Sequence, residues 1–119
     1  MKIAVTSKGP DLDHQVDPRF GRAAYILIVD SETLDFDVLD NKENVNALQG
    51  AGIQTARMVS DKGAKVLITG FCGPNAFKVL NAAKIKVASD GKGTVRDAVE
   101  SFIQGKLTFS DQANAEGHW

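Results

Sequence analysis

The sequence predicts an α/β domain built on a mixed five-stranded sheet, with elements in the order βββαβαβα. Three observations carry that expectation. Short β-branched runs such as Ile3-Ala4-Val5, Ile26-Leu27-Ile28-Val29 and Val66-Leu67-Ile68 read as strands buried within a sheet. Between and after the later runs, apolar residues recur at i, i+3, i+4 and i+7, the pattern of helices laid on that sheet. Glycine-rich turns stand where those strands hand over to helices, as at Gly70-Phe71-Cys72-Gly73.

A chain of 119 residues with formal net charge −1 is one domain with room for a core. Its balance gives no global field for nucleic acid or an anionic membrane. No apolar run approaches the roughly 18 residues that a membrane span requires. Residues 1–5 run straight into a strand pattern with no signal-peptide layout, and the single cysteine suits a reducing compartment, so a cytoplasmic protein is expected. The domain is expected over 1–109 with a polar tail over 110–119, where His118 and Trp119 read as exposed ends.

Residues 2–6 form the expected first strand, closed by Ser7-Lys8-Gly9-Pro10. A polar segment follows to Asp17-Pro18, carrying Asp11, Asp13 and His14 with little to bury; such loops are often functional or mobile. Strands over 25–29 and 36–39, joined by the turn Asp30-Ser31-Glu32-Thr33, complete an antiparallel meander with the first. A polar connection over 41–46 leads to a helix over 48–62, with Leu48, Ala51, Thr55, Met58 and Val59 on one face and Gly63 as its stop. The fourth strand covers 64–68. Pro74 then sits at the first position of a helix whose face is Ala76, Val79, Leu80 and Ala83. After a fifth strand over 85–88, Thr94 and Asp97 resemble a capping box for a last helix carrying Val95, Ala98, Val99, Phe102 and Ile103, stopped by Gly105.

Right-handed crossovers make the first, fourth and fifth strands parallel, and ligands of such sheets sit beyond the carboxyl ends of the strands. That rim collects Ser7, Lys8 and Gly9; Arg19, Phe20, Gly21 and Arg22; the 41–46 connection; Gly70, Phe71, Cys72, Gly73, Pro74 and Asn75; and Gly91, Lys92, Gly93 and Thr94. Two guanidiniums, two lysines and two helix starts favour an anion, one with a soft metal or sulfide surface included. Each feature has a plainer reading. Cys72 is either a small buried hydrophobe or a thiolate ligand with its pKa lowered by the helix start. His14 is a solvated histidine or a metal ligand, and Arg19 and Arg22 are surface charges or site groups. Gly91-Lys92-Gly93-Thr94 looks like a phosphate loop yet is too short for the P-loop pattern, and it also makes a tight turn into a capped helix.

Catalytic constellations are missing. Lys78 stands where a cysteine phosphatase loop has arginine, the first strand lacks the acids of a ribonuclease H-type nuclease, and no Ser-His-Asp arrangement forms. One cysteine and one histidine make no zinc spacing.

Taken together, Arg19-Phe20-Gly21-Arg22-Ala23 before the strand ending in Val29-Asp30, the Asn44 region before a glycine-containing helix, Gly70-x-x-Gly73-Pro74-x-Ala76 and Gly91-x-Gly93-Thr94 resemble one family over nearly the whole chain. It is the dinitrogenase iron-molybdenum cofactor biosynthesis family of the NifX and NafY type, also found as the C-terminal part of NifB. The resemblance implies a ribonuclease H-like fold and non-covalent carriage of a molybdenum-containing sulfide cluster with iron, or with copper as in some small single-domain relatives. It implies no catalysis, and partner proteins in cluster assembly or delivery. On this reading the rim residues named above, Gly9 and the 41–46 connection apart, bind the cluster, and Cys72 or His14 supplies at most one direct ligand. Two departures stand out: many members have His-Phe-Gly where this chain has Arg19-Phe20-Gly21, and Cys72 is not a family hallmark. Nitrogenase assembly therefore does not follow. The alternative is a metal-free regulatory or interaction module binding a small phosphorylated ligand; a cysteine-dependent enzyme is a third class.

Overall fold

Pairing of the apolar runs places the first strand in the middle of the sheet. In the computed structural model, which describes residues 1–42, 50–89 and 91–110, β1 (Lys2–Ser7) lies between β2 (Tyr25–Asp30), antiparallel to it, and β4 (Val66–Ile68), parallel to it. β3 (Phe36–Asp40) pairs antiparallel outside β2, and β5 (Lys86–Ala88) parallel outside β4. A sixth strand, β6 (Phe109–Ser110), closes the order β3-β2-β1-β4-β5-β6 where five strands were expected. Two residues are too few to leave a period-2 signal, so Phe109 read only as the last apolar residue before the tail.

Side chains alternate across the sheet and sort the core into two layers. Ala4, Ile26, Ile28, Leu67 and Val87 pack under α1 (Ala51–Asp61) and α2 (Pro74–Ala82), meeting Ala56, Val59, Ala76 and Leu80. Ile3, Val5, Leu27, Val29, Val66, Ile68 and Ala88 pack under α3 (Val95–Ile103), meeting Val95, Ala98 and Val99. The helix expected from residue 48 has its N-cap at Gly50; residues 43–49, with Leu48 and part of the polar connection, lie outside the described residues, as do 111–119 with His118 and Trp119. The capping box of α3 is present in full.

The 8–17 segment corrects the expectation that it has little to bury. Leu12, Val16 and Asp17 are buried, the first two in the α3 layer. Its backbone is stitched on both sides: Lys8 N–H donates to Gln15 O (3.0 Å), Val16 N–H to Gly93 O (2.9 Å), and Val95 N–H to His14 O (2.9 Å). Two isolated apolar residues among acids carry no periodicity, which is why the sequence hid them.

Two polar contacts fix α1 on the sheet. Buried Asn41, just past β3, donates from Nδ2 to Ala23 O at 2.8 Å, and the one proton of the Thr55 hydroxyl is shared between Ala51 O of its own helix (2.8 Å) and Asn41 Oδ1 (3.0 Å). Gly21, with φ of 89°, brings the chain so close to α1 that a β-carbon there would stand 2.9 Å from the α-carbon of Gly52. A β-carbon on Gly52 would in turn meet that of Ala76 on α2 at 3.1 Å. Gly21→Ala therefore adds a backbone clash to a left-handed conformation, and a loss of about 2–4 kcal/mol is expected in urea unfolding. Gly63→Ala is the control: φ is 76° but nothing lies within 4 Å, so only about 1–2 kcal/mol should be lost. Equal losses would show that the close approach is no constraint.

Candidate functional site

The carboxyl ends of β1 and β4 lie side by side, and the chain crosses over them between Asp17 and Phe20. Asp17 N–H donates to Thr6 O (2.9 Å), Phe71 N–H to Pro18 O (2.6 Å) and Phe20 N–H to Phe71 O (3.0 Å). Below that crossing the buried hydroxyls of Thr6 and Thr69 stand 2.9 Å apart, with Thr6 Oγ1 2.6 Å from Asp17 O. Each hydroxyl has one proton, so Thr6 donates to the Asp17 carbonyl and Thr69 donates to Thr6. Gly70 allows the crossing: a β-carbon there would lie 2.7 Å from Pro18 O.

From this crossing Phe20 enters the core and Gly21 rests on α1, so the starts of α1 and α2 are drawn together. Between them opens a small cleft of about 50 Å³, lined by Phe20, Gly50, Gly52, Ile53, Gly73, Asn75 and Ala76. Among the described residues, neither helix has a side-chain N-cap or an acid in its first turn. Their leading N–H groups and dipoles make the cleft electropositive. At α3 the case is reversed. Thr94 Oγ1 accepts Asp97 N–H (3.1 Å), and Asp97 Oδ2 accepts Thr94 N–H (3.2 Å), so a carboxylate already stands at that helix start. Sequence reasoning named the starts of α2 and α3 for the rim and missed Gly50, Gly52 and Ile53, which fall within the helix expected over 48–62.

Of the residues named from sequence, Lys8, Arg19, Pro74, Asn75, Lys92 and Gly93 are exposed on this edge, and Arg22, Gly70, Gly91 and Thr94 are half-buried. Arg19 N–H donates to Asp17 Oδ1 (2.9 Å), and its guanidinium stands 3.8 Å from the same oxygen. Ser7 is buried, and its hydroxyl donates to Gly9 O (2.6 Å) and accepts Gly9 N–H (3.2 Å), serving its own turn. Phe71 is 45% exposed beside Arg19, with which it forms a parallel bridge. Gly91 N–H donates to Thr69 O (3.2 Å), tying the 91–94 turn to the end of β4.

Cys72 and His14 are not brought together. His14 is exposed on the segment that packs beneath α3, with Nδ1 2.9 Å from Asp11 Oδ1. Cys72 is 1% exposed in the α1–α2 layer, which agrees with the first of its two readings, a small buried hydrophobe, and not with a thiolate on the rim. Burial pushes its thiol up to about 12, opposite to the lowering expected from a helix start. Among the described residues, no three His, Cys, Asp or Glu side chains gather to hold a metal ion.

Comparison with known proteins places this edge in context. Residues 1–105 match the family model described as "Dinitrogenase iron-molybdenum cofactor". The chain belongs to that family. Its fold is similar to that of the apo form of the orange protein from Desulfovibrio gigas, at 45% identity and a TM-score of 0.93, covering 96% of each chain. A Thermotoga protein proposed to be a NifB protein is 34% identical, with a TM-score of 0.83 and 98% of each chain covered. An uncharacterised protein of Methanocaldococcus jannaschii is 28% identical over 109 residues, covering 90% of this chain and 89% of that one. No described helix of this family member is long and apolar enough to cross a membrane.

The buried thiol makes a prediction. With a folded pKa of about 12 against an ordinary 9.0, Cys72 keeps its proton in the folded chain and loses it in the unfolded chain first. Its contribution to stability is therefore complete below pH 9.0 and declines as pH rises towards about 12. Unfolding free energies measured across that window should fall more steeply for the wild type than for Cys72→Ala. Parallel slopes would contradict the burial.

Proposed function

We propose that the chain carries, without covalent attachment, an anionic molybdenum-containing sulfide cluster (Mo-Fe-S or Mo-Cu-S) at the edge where α1 and α2 begin. The observation that carries this reading is the convergence of two helix starts, neither capped by a side chain, on one cleft. Arg19 and Arg22 flank the Phe20-Gly21 pair that borders it, and Lys92 adds charge on the same edge. A cluster brings its own sulfide ligands and asks of the protein complementary charge and N–H donors. That suits a site whose cysteine is buried and protonated, and it makes Cys72 and His14 dispensable as ligands.

Membership of an iron-molybdenum cofactor family supports the cargo, and the description of the orange protein as an apo form supports a group that comes and goes. Carriage rather than catalysis follows from the same reading, with assembly or delivery proteins as partners.

The test is reconstitution. Apoprotein mixed with tetrathiomolybdate and copper(I), or with tetrathiomolybdate and iron(II), should keep a visible chromophore through desalting. Arg19→Ala combined with Arg22→Ala should weaken retention by about tenfold or more, the scale of one charge-assisted hydrogen bond. Cys72→Ala should retain it. If no mixture yields a stable chromophore and a nucleotide raises the melting temperature instead, the site holds a phosphorylated ligand and the cluster reading is wrong.

A further inference from the structure

The end of the sheet opposite the cleft carries charges of opposite sign on its two sides. β1, β3, β4 and β5 begin there and β2 ends there. On the β2–β3 side stand Glu32, Asp35 and Asp37, all exposed, beside Phe36, itself 37% exposed, with exposed Lys2 of β1 lining the same hollow as Asp35 and Asp37 and leaving that side with an excess of acids. On the β4–β5 side stand Lys65, Lys84 and Lys86, all exposed, around an apolar groove of about 350 Å³ that includes Phe102 and Phe109. Met1, 55% exposed, borders that groove, and its carbonyl accepts Ser31 N–H from the acidic side (2.9 Å). None of these charges forms a salt bridge among the described residues. Lys84 adopts a left-handed φ of 61° just past α2, where α1 and α3 are followed by Gly63 and Gly105, so an ammonium is kept where glycine is the easier choice.

Both apolar patches belong to the α3 side of the sheet. Phe36 lies opposite Val29, whose side chain is in the α3 layer. Phe109 lies opposite Ala88 of the same layer and meets Phe102 edge-on at 6.1 Å between ring centres.

We infer that this end is a self-complementary surface on which a second copy of the chain docks. A two-fold axis normal to the sheet and passing near Met1 reverses the strand order while keeping the α3 side on the α3 side. It sets Phe36 of each copy against the other's apolar groove and the acidic turn carrying Glu32 and Asp35 towards the other's Lys65 and Lys84, as an isologous contact requires, while Asp37, opposite Ile28, and Lys86, opposite Val66, stay on different faces of the sheet. The clefts then point away from each other at the two ends of the dimer, and the inference does not rest on what they bind. Because exposed charge supplies the complementarity, the contact is screened by salt.

Analytical ultracentrifugation of the full chain tests it. At low ionic strength a monomer–dimer equilibrium is expected, weakening by about tenfold or more as the salt passes well beyond 0.1 M. Lys65→Glu with Lys84→Glu, and separately Glu32→Lys with Asp35→Lys, should each be monomeric alone. Mixed in equal amounts they should form a heterodimer, since the reversed residues of one variant then face the reversed residues of the other with opposite sign. The inference is overturned by a wild type that stays monomeric at low salt up to its solubility limit, by a dimer indifferent to the reversals, or by reversed variants that fold but do not associate when mixed.

Discussion

Four hydrogen bonds at the ends of β1 and β4 hold the working edge of this molecule together: Asp17 N–H to Thr6 O, the Thr6 hydroxyl to Asp17 O, Phe71 N–H to Pro18 O and Phe20 N–H to Phe71 O. Each is worth only about 1 kcal/mol net. Their force lies in the alternative, since Thr6, Asp17 and Phe20 are buried and a polar group left unpaired there costs about 1–3 kcal/mol. The crossing chain is thus held less by attraction than by the penalty for leaving. Phe20, Gly21, and through Gly21 the first turn of α1, have their positions from it.

Much of this was legible in the residues. The buried runs at 3–5, 26–29 and 66–68 are strands, Pro74 opens its helix, and Thr94 with Asp97 makes the capping box that the spacing announced. What stayed hidden shares one property: it depends on partners distant in sequence. Leu12 and Val16 are core residues only because α3 lies over them. Gly52 borders a cleft only because Gly21 and Ala76 come from other segments to meet it. The two-residue β6 exists only because β5 offers an edge.

The thiol shows how two correct local principles can compete. A helix start stabilises a nearby thiolate, and Cys72 stands two residues before Pro74, the first residue of α2. Dipole effects of this kind are worth about 0.3–2 kcal/mol, whereas full desolvation of an ionised group shifts its pKa by up to about 3–5 units, at 1.36 kcal/mol each. With the sulfur packed in the same layer as Phe20, Leu67 and Leu80, desolvation is the larger effect. Cys72 is a core residue first.

The same reasoning about helix ends explains why one part of the edge, and not another, suits an anion. Among the described residues, α1, α2 and α3 begin along it. α3 carries its own carboxylate in Asp97, so a second anion there meets a like charge as well as N–H groups already engaged. α1 and α2 begin at Gly50 and Gly73, with no acid in the first turn, and a glycine N-cap costs a helix only a few tenths of a kcal/mol relative to serine or aspartate. The protein thus leaves two helix starts uncapped by side chains at almost no cost to its fold. A multiply charged guest gains from both dipoles and from the neighbouring guanidiniums together, and a neutral guest gains from none of them. On the proposed reading, selectivity for charge is built into the capping pattern itself, before any side chain makes direct contact.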